Sequence, residues 1–270
     1  MKRITPFFFL IFSVLLFTSL SSYGQTENQR KIITNAYNLK ELSDKETLYA
    51  NKFAREKAAV IQYAQANNMP LQYTTKDGGF AKARKVLPDG TILYYRTHNK
   101  NAAISTRTNH INSGGITGFD VDGQNMTAYV WDAGHPLVNH QEYFDSQGNN
   151  RVFIKDANPG NEYLHFHAAH VIGTIAATGV NANAKGMAFK SEVNSYDWDN
   201  DLAEATAAAQ EGMLISNHSY GYDSSILDSW YFGAYIEESA EWDELMHSAP
   251  YYLMVNSAGN DGITNYSHFL

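Results

Sequence analysis

A doubly wound α/β fold with a parallel sheet, preceded by a small helix-plus-hairpin region, is what this 270-residue sequence predicts. Three observations carry that expectation. From Met126 onward, short apolar runs alternate with helix-favouring stretches, the order that builds βα units and covers a sheet on both faces. Upstream, a polar stretch without Pro or Gly from Asn28 to about Asn68 leads into an Asp-Gly turn between apolar runs. Between the two halves, Thr97 to Gly115 is rich in Asn, Ser, Thr and Gly, which places a domain boundary near Asn101.

The elements follow in order. Lys2 and Arg3 precede an apolar run from Phe7 to Leu20 and then the small residues Ser21, Ser22 and Gly24, the layout of a secretory signal over residues 1–24. The run holds about 14 residues where a membrane span needs about 20, so cleavage after Gly24 and export are expected, with no span left. Leu48, Ala54, Ala58, Ile61 and Ala64 recur at helical spacing, and Met69-Pro70 closes that helix. Val86 to Tyr95 reads as two strands about Asp89-Gly90. Next come a strand from Met126 to Trp131, a small-residue helix from His167 to Thr178, and a strand from Glu192 to Tyr196. A helix from Asp201 to Glu211, a strand from Met213 to Ser216, a helix from Tyr235 to His247 and a strand from Tyr251 to Val255 complete the pattern.

A formal charge of -8 without a basic patch argues against a nucleic-acid partner. The absence of cysteine excludes a thiol nucleophile and thiolate metal sites, leaving oxygen and nitrogen side chains to carry any chemistry.

In an open parallel sheet, functional groups gather at the carboxyl ends of the strands. Asp132 leaves its strand into Ala133-Gly134, where a carboxylate can orient a histidine or simply make a turn. His167 opens a run through Thr174 at a helix N-terminus, a position that suits a neutral general base, although a lone histidine there is more often structural. Asn260 follows the last strand in Ser257-Ala258-Gly259-Asn260-Asp261-Gly262, where its amide could donate to an oxyanion or close a tight turn.

These three segments, in this order, resemble the subtilisin-like serine proteases, the subtilase family. Trp131 to Gly134 resembles the family's aspartate motif, and His140-Gln141-Glu142 the segment after it. His167 to Thr174 resembles the histidine motif H-G-T-H-V-A-G-T, and Ser257 to Gly262 the segment bearing the oxyanion asparagine. The resemblance runs from about Ile104 to Gly262. It implies a subtilisin-like fold and hydrolysis of polypeptides, with Asp132 orienting the base, His167 as base and Asn260 donating to the oxyanion. Ser219-Tyr220-Gly221 resembles the segment that pairs with an extended substrate, although an ordinary strand exit reads the same way. The region from Gln25 to about Asn101 stands where the family carries a propeptide, which implies an intramolecular inhibitor ahead of a catalytic part from residue 102 to 270.

The departures are specific. Ala133 replaces Ser or Thr, Ala168 and Ala169 replace Gly and Thr, and Ile172 adds bulk beside the base. The family's serine lies in a G-T-S-x-[AS] segment, and no such segment occurs, so no nucleophile is assigned. A chain ending before that serine is expected to be inactive as it stands, with part of its sheet uncovered. No cofactor is required for the chemistry; the resemblance allows structural calcium, for which no ligand set is legible. Two rivals remain at this stage. His165, His167 and His170 form H-x-H-x-x-H, a spacing that can ligate zinc in a metallohydrolase. A peptide-binding protein with the fold but without the nucleophile is the other.

Overall fold

Strand β4, Thr127–Asp132, lies at the centre of a five-stranded parallel sheet because alternate residues find apolar partners on both sides. The computed structural model describes residues 26–74, 80–97, 108, 111–114, 118–157, 160, 162–181 and 184–261. The signal segment 1–24 and the boundary near Asn101 lie outside them. The sheet runs in the order β5 (Val152–Ile154), β6 (Glu192–Asp197), β4, β7 (Ile215–His218) and β9 (Leu253–Asn256). Every neighbouring pair is parallel. On one face Val130, Val152 and Val193 pack against Val171, Ile172 and Ala176 of α3, Phe166–Ala176. Ile172 is fully buried there, so the bulk that departs from the family pattern fills the core and contributes roughly 1.5–3 kcal/mol.

On the other face Tyr129 and Trp131 meet Ala205 and Ala209 of α4, Asp201–Gln210, and Leu245 of α5, Glu237–Ser248. Alanines let α4 approach the sheet and also α2, Leu39–Ala66, on its outer side. The doubly wound parallel sheet predicted from the strand and helix alternation is therefore present. Strand β5 was not read from the sequence, since three residues are too few for an alternation to register.

The N-terminal region departs from the sequence reading in three ways. The polar stretch is two helices, α1 (Glu27–Thr34) and α2, interrupted where Asn35 ends the first and the Asn38 side chain accepts the Glu41 amide at 3.2 Å to start the second. The hairpin forms as read, β2 (Phe80–Val86) and β3 (Ile92–Thr97) about a turn in which Gly90 has φ +90°. It is extended by β1, Gln72–Thr74, and then by β8, Tyr220–Tyr222, which belongs to the other half of the chain. Nor is the region a separate module. Leu42 and Tyr49 of α2 bury themselves in the same core as Trp131, while Val60 and Ala64 further along the helix cover the hairpin. Among the described residues no helix is long and apolar enough to cross a membrane.

Candidate active site

The exit from β4 determines where the candidate residues stand. Asp132 is the last residue of β4, opposite Asp197 in register, and is buried. Its Oδ1 accepts the Ala133 amide at 2.7 Å, and its carbonyl accepts the Trp198 amide at 2.7 Å. Gly134 then adopts φ +146°, and a Cβ there would lie 2.5 Å from the Tyr163 carbonyl oxygen, so only glycine fits. That close approach lets the His135 amide reach Tyr163 O at 2.8 Å and the His165 amide reach His135 O at 2.9 Å. The segment entering α3 is thereby tied to the segment leaving β4.

His165 is the N-cap of α3, its Nδ1 accepting the His167 amide at 3.3 Å. Burial pushes the His165 pKa down, the Asp132 carboxylate opposes this, and His167 adds to the lowering; the neutral ring keeps the lone pair the cap needs. His167 therefore sits in the first turn of α3 with its ring beside Asp132. Its Nδ1 is 2.7 Å from Oδ1 and 3.0 Å from Oδ2 of Asp132, with both side chains buried. With a carboxylate as acceptor, Nδ1 carries the proton and Nε2 presents a lone pair. Nε2 is buried and has no hydrogen-bond partner among the described residues, and an unmet buried acceptor costs about 1–3 kcal/mol.

The other two sequence-predicted features share the carboxyl edge of the sheet. Asn260 is half-buried four residues beyond β9, whose end, Asn256, lies opposite His218 at the end of β7. The Ser257 amide donates to His218 O at 3.1 Å, and Ser224 Oγ donates to Asp261 at 2.6 Å, so this loop is anchored on both sides of Asn260. Ser219 accepts the Asn217 side-chain amide at 2.9 Å, and Tyr220 and Gly221 fall in β8. There β8 pairs antiparallel with β3, Tyr220 against Thr97, Gly221 against Arg96 and Tyr222 against Tyr95. The expected substrate strand is thus already paired, by the chain's own N-terminal region.

A family model described as the subtilase family matches residues 117–268, more than half of the chain and all of the elements from β4 to β9. The chain belongs to the subtilase family. No curated protein and no solved structure matches it in the same comparisons. At family level this subtilase is a serine peptidase, and its substrates are polypeptides.

The geometry gives the zinc reading no support. His167 Nδ1 faces Asp132 and His165 Nδ1 faces the helix amide, and among the described residues no group of three His, Asp or Glu side chains could hold a metal ion. Glu142, in the segment that follows the aspartate motif, has its carboxylate committed elsewhere. Its two oxygens accept the amides of Gly179, Val180 and Asn181 at 2.7, 3.0 and 2.8 Å. Burial opposes its charge, yet these three donors prevail and hold its pKa below the ordinary carboxylate value. Three contributors escaped the sequence reading. Gly134 reads as a simple turn residue, histidine is not among the preferred N-caps, and Arg151 gives no local signal although its guanidinium binds Ala176 O at the far end of α3 at 2.7 Å.

Proposed function

We propose that this subtilase is an exported serine endopeptidase in which Asp132 orients His167, His167 is the general base and Asn260 donates to the oxyanion. The observation that carries the reading is the buried Asp132–His167 pair, whose Nε2 has no hydrogen-bond partner among the described residues. A seryl hydroxyl brought to Nε2 gives up its proton there as its Oγ attacks the scissile carbonyl, while Asp132 stabilises the imidazolium that forms. The tetrahedral oxyanion then receives the Asn260 amide; a donor of this kind is worth about 2.7–4 kcal/mol in the subtilisin case. Collapse expels the amine, protonated from His167, and leaves an acyl-enzyme that water resolves by the same proton path. The serine is not assigned to any residue of this sequence.

The paired edge at Tyr220–Tyr222 supports a second part of the reading. An extended substrate adds to this edge as a strand, and β3 competes for it directly. The N-terminal region, residues 25–101, is accordingly an intramolecular inhibitor that leaves after processing.

One experiment tests both parts. The product of the complete reading frame is exposed to a serine-directed phosphonate, with and without removal of the N-terminal region. Labelling of one serine, fast in the trimmed enzyme, slow in the untrimmed one and suppressed by His167→Ala, is the expected result. Inactivation by chelator with no phosphonate adduct would overturn the peptidase mechanism. Equal labelling rates before and after trimming would overturn the inhibitory role alone.

A further inference from the structure

The contact between the N-terminal region and the rest of the chain has a uniform electrical sense. Among the described residues, every ion pair across it places the cation on the N-terminal side: Lys45, Lys52, Lys57, Lys82 and Lys85 all meet carboxylates between residues 197 and 244. Two of these carboxylates adjoin the candidate active site. Asp197 is opposite Asp132 in register, about 5 Å away across one strand spacing. Asp199 follows two residues later, and the amide of Trp198 between them is bonded to the Asp132 carbonyl. Two ammonium groups from elsewhere in the chain are seated on this pair: Lys82 Nζ is 2.9 Å from Asp199 and 3.6 Å from Asp197, and Lys57 Nζ is 2.6 Å from Asp199.

The place of β3 relates the pair to a bound peptide. Tyr95 stands opposite Tyr222 of β8, and its ring already meets the Trp198 ring at 5.8 Å between centroids. Tyr95 is also the register partner of Lys82 in β2, so their side chains share one face, and Lys82 is the residue whose ammonium group meets Asp197 and Asp199. Strand β3 runs antiparallel to β8, so a peptide lying there continues past Tyr220 toward Ser219 and His218, whose strand neighbours Trp131 and Asp132. The Tyr95 seat consequently lies upstream of the bond to be cut.

We infer, resting on the peptidase reading above, that Asp197 and Asp199 form a subsite for a lysine or arginine side chain upstream of the scissile bond, filled in this structure by Lys57 and Lys82. Removal of the N-terminal region takes both ammonium groups away, leaves the two carboxylates without their cations and uncovers the side of the Trp198 ring that Tyr95 packs against. A substrate cation restores the ion pairs and lies against the Trp198 ring, whereas a substrate carboxylate is repelled.

The test uses the full-length processed enzyme and peptides that differ only in carrying lysine or glutamate at each upstream residue in turn. At one upstream position the lysine peptide is expected to exceed the glutamate peptide about five- to tenfold in kcat/KM at low ionic strength. Added salt should shrink that ratio, and Asp197→Asn with Asp199→Asn should bring it toward one. A ratio near one at every position, or a ratio untouched by the double substitution, overturns the inference and leaves the acidic face as a dock for the N-terminal region only. If no peptide is cut, the peptidase reading fails, and fluorescence anisotropy of the labelled lysine and glutamate peptides on the same protein decides the subsite. Equal affinities there overturn it; tighter lysine binding upholds it.

Discussion

Consecutive residues of β4 hold two buried histidines, and their surroundings differ in one respect. Trp131 stacks on His218 with ring planes 2° apart and centroids 5.3 Å apart, while Asp132 bonds His167. Both nitrogens of His218 are engaged: Nε2 with Ser216 Oγ at 2.8 Å and Nδ1 with Tyr220 OH at 2.9 Å. One proton arrangement satisfies the whole chain. Tyr252 donates to Ser216, Ser216 to His218, His218 to Tyr220, and Tyr220 to Asp201 at 2.7 Å. Burial lowers the His218 pKa to about 3, so that ring is a neutral structural link. His167 has the Asp132 carboxylate on one side and, among the described residues, no partner on the other. A buried imidazole becomes a candidate base where the network around it stops short.

The largest expected effect breaks the His167 side of the comparison. Asp132→Asn offers Nδ1 an amide that can donate, which favours the wrong tautomer, and kcat measured on the full-length processed enzyme should fall about 10⁴-fold. A loss below about tenfold would show that the pair does not work as a base and its orienter. His218→Leu probes the other side and should read in unfolding. It leaves Ser216 and Tyr220 each short of a partner, at a cost of about 1–3 kcal/mol near neutral pH. The unfolded chain takes a proton on this histidine near pH 6.5 and the folded chain only near about 3, so the native protein loses stability as the pH falls through that window. The leucine variant should show a shallower decline over the same range in denaturant titrations. A parallel decline would place the acid sensitivity elsewhere.

The smallest effect concerns Glu204, which accepts the Trp131 indole N–H at 3.0 Å behind the His218 stack. Burial, partly opposed by that hydrogen bond, and the neighbouring carboxylates Asp156, Asp201 and Asp197 push its pKa up to about 9. The folded state thus holds a proton that the unfolded state releases near 4.5, and this contribution to stability is lost as the pH rises toward about 9. Glu204→Gln should raise Tm by about 2–4 °C, the increment for about 1 kcal/mol in a domain of this size. The gap should widen between about pH 5 and about pH 9. A gap that narrows would mean the carboxylate is ionised in the native state.

Much of the parallel sheet was legible in the sequence because short apolar runs at β4, β6, β7 and β9 alternate along the chain with the helix-favouring stretches of α3, α4 and α5, so local period and chain order suffice. Asp132 and His167 were legible as a pair through their motifs, although nothing local shows that their side chains meet. What escaped is non-local. Tyr220–Tyr222 is three residues long with a central glycine, and its partner β3 lies more than 120 positions upstream, so no periodicity announces that pairing. The break between α1 and α2 depends on the Asn38 cap, which a helix-favouring composition conceals. Glu142 resembled a motif residue, but its role as acceptor for three amides depends on a loop that returns only after α3.

Gly134 bears on heredity as much as on geometry. It touches neither substrate nor proton, yet any missense codon there would add a carbon where the Tyr163 carbonyl already lies, prying the β4 exit from the segment that leads to His167. A residue without side-chain chemistry thus decides whether the carboxylate of Asp132 and the imidazole of His167 stay within reach of each other.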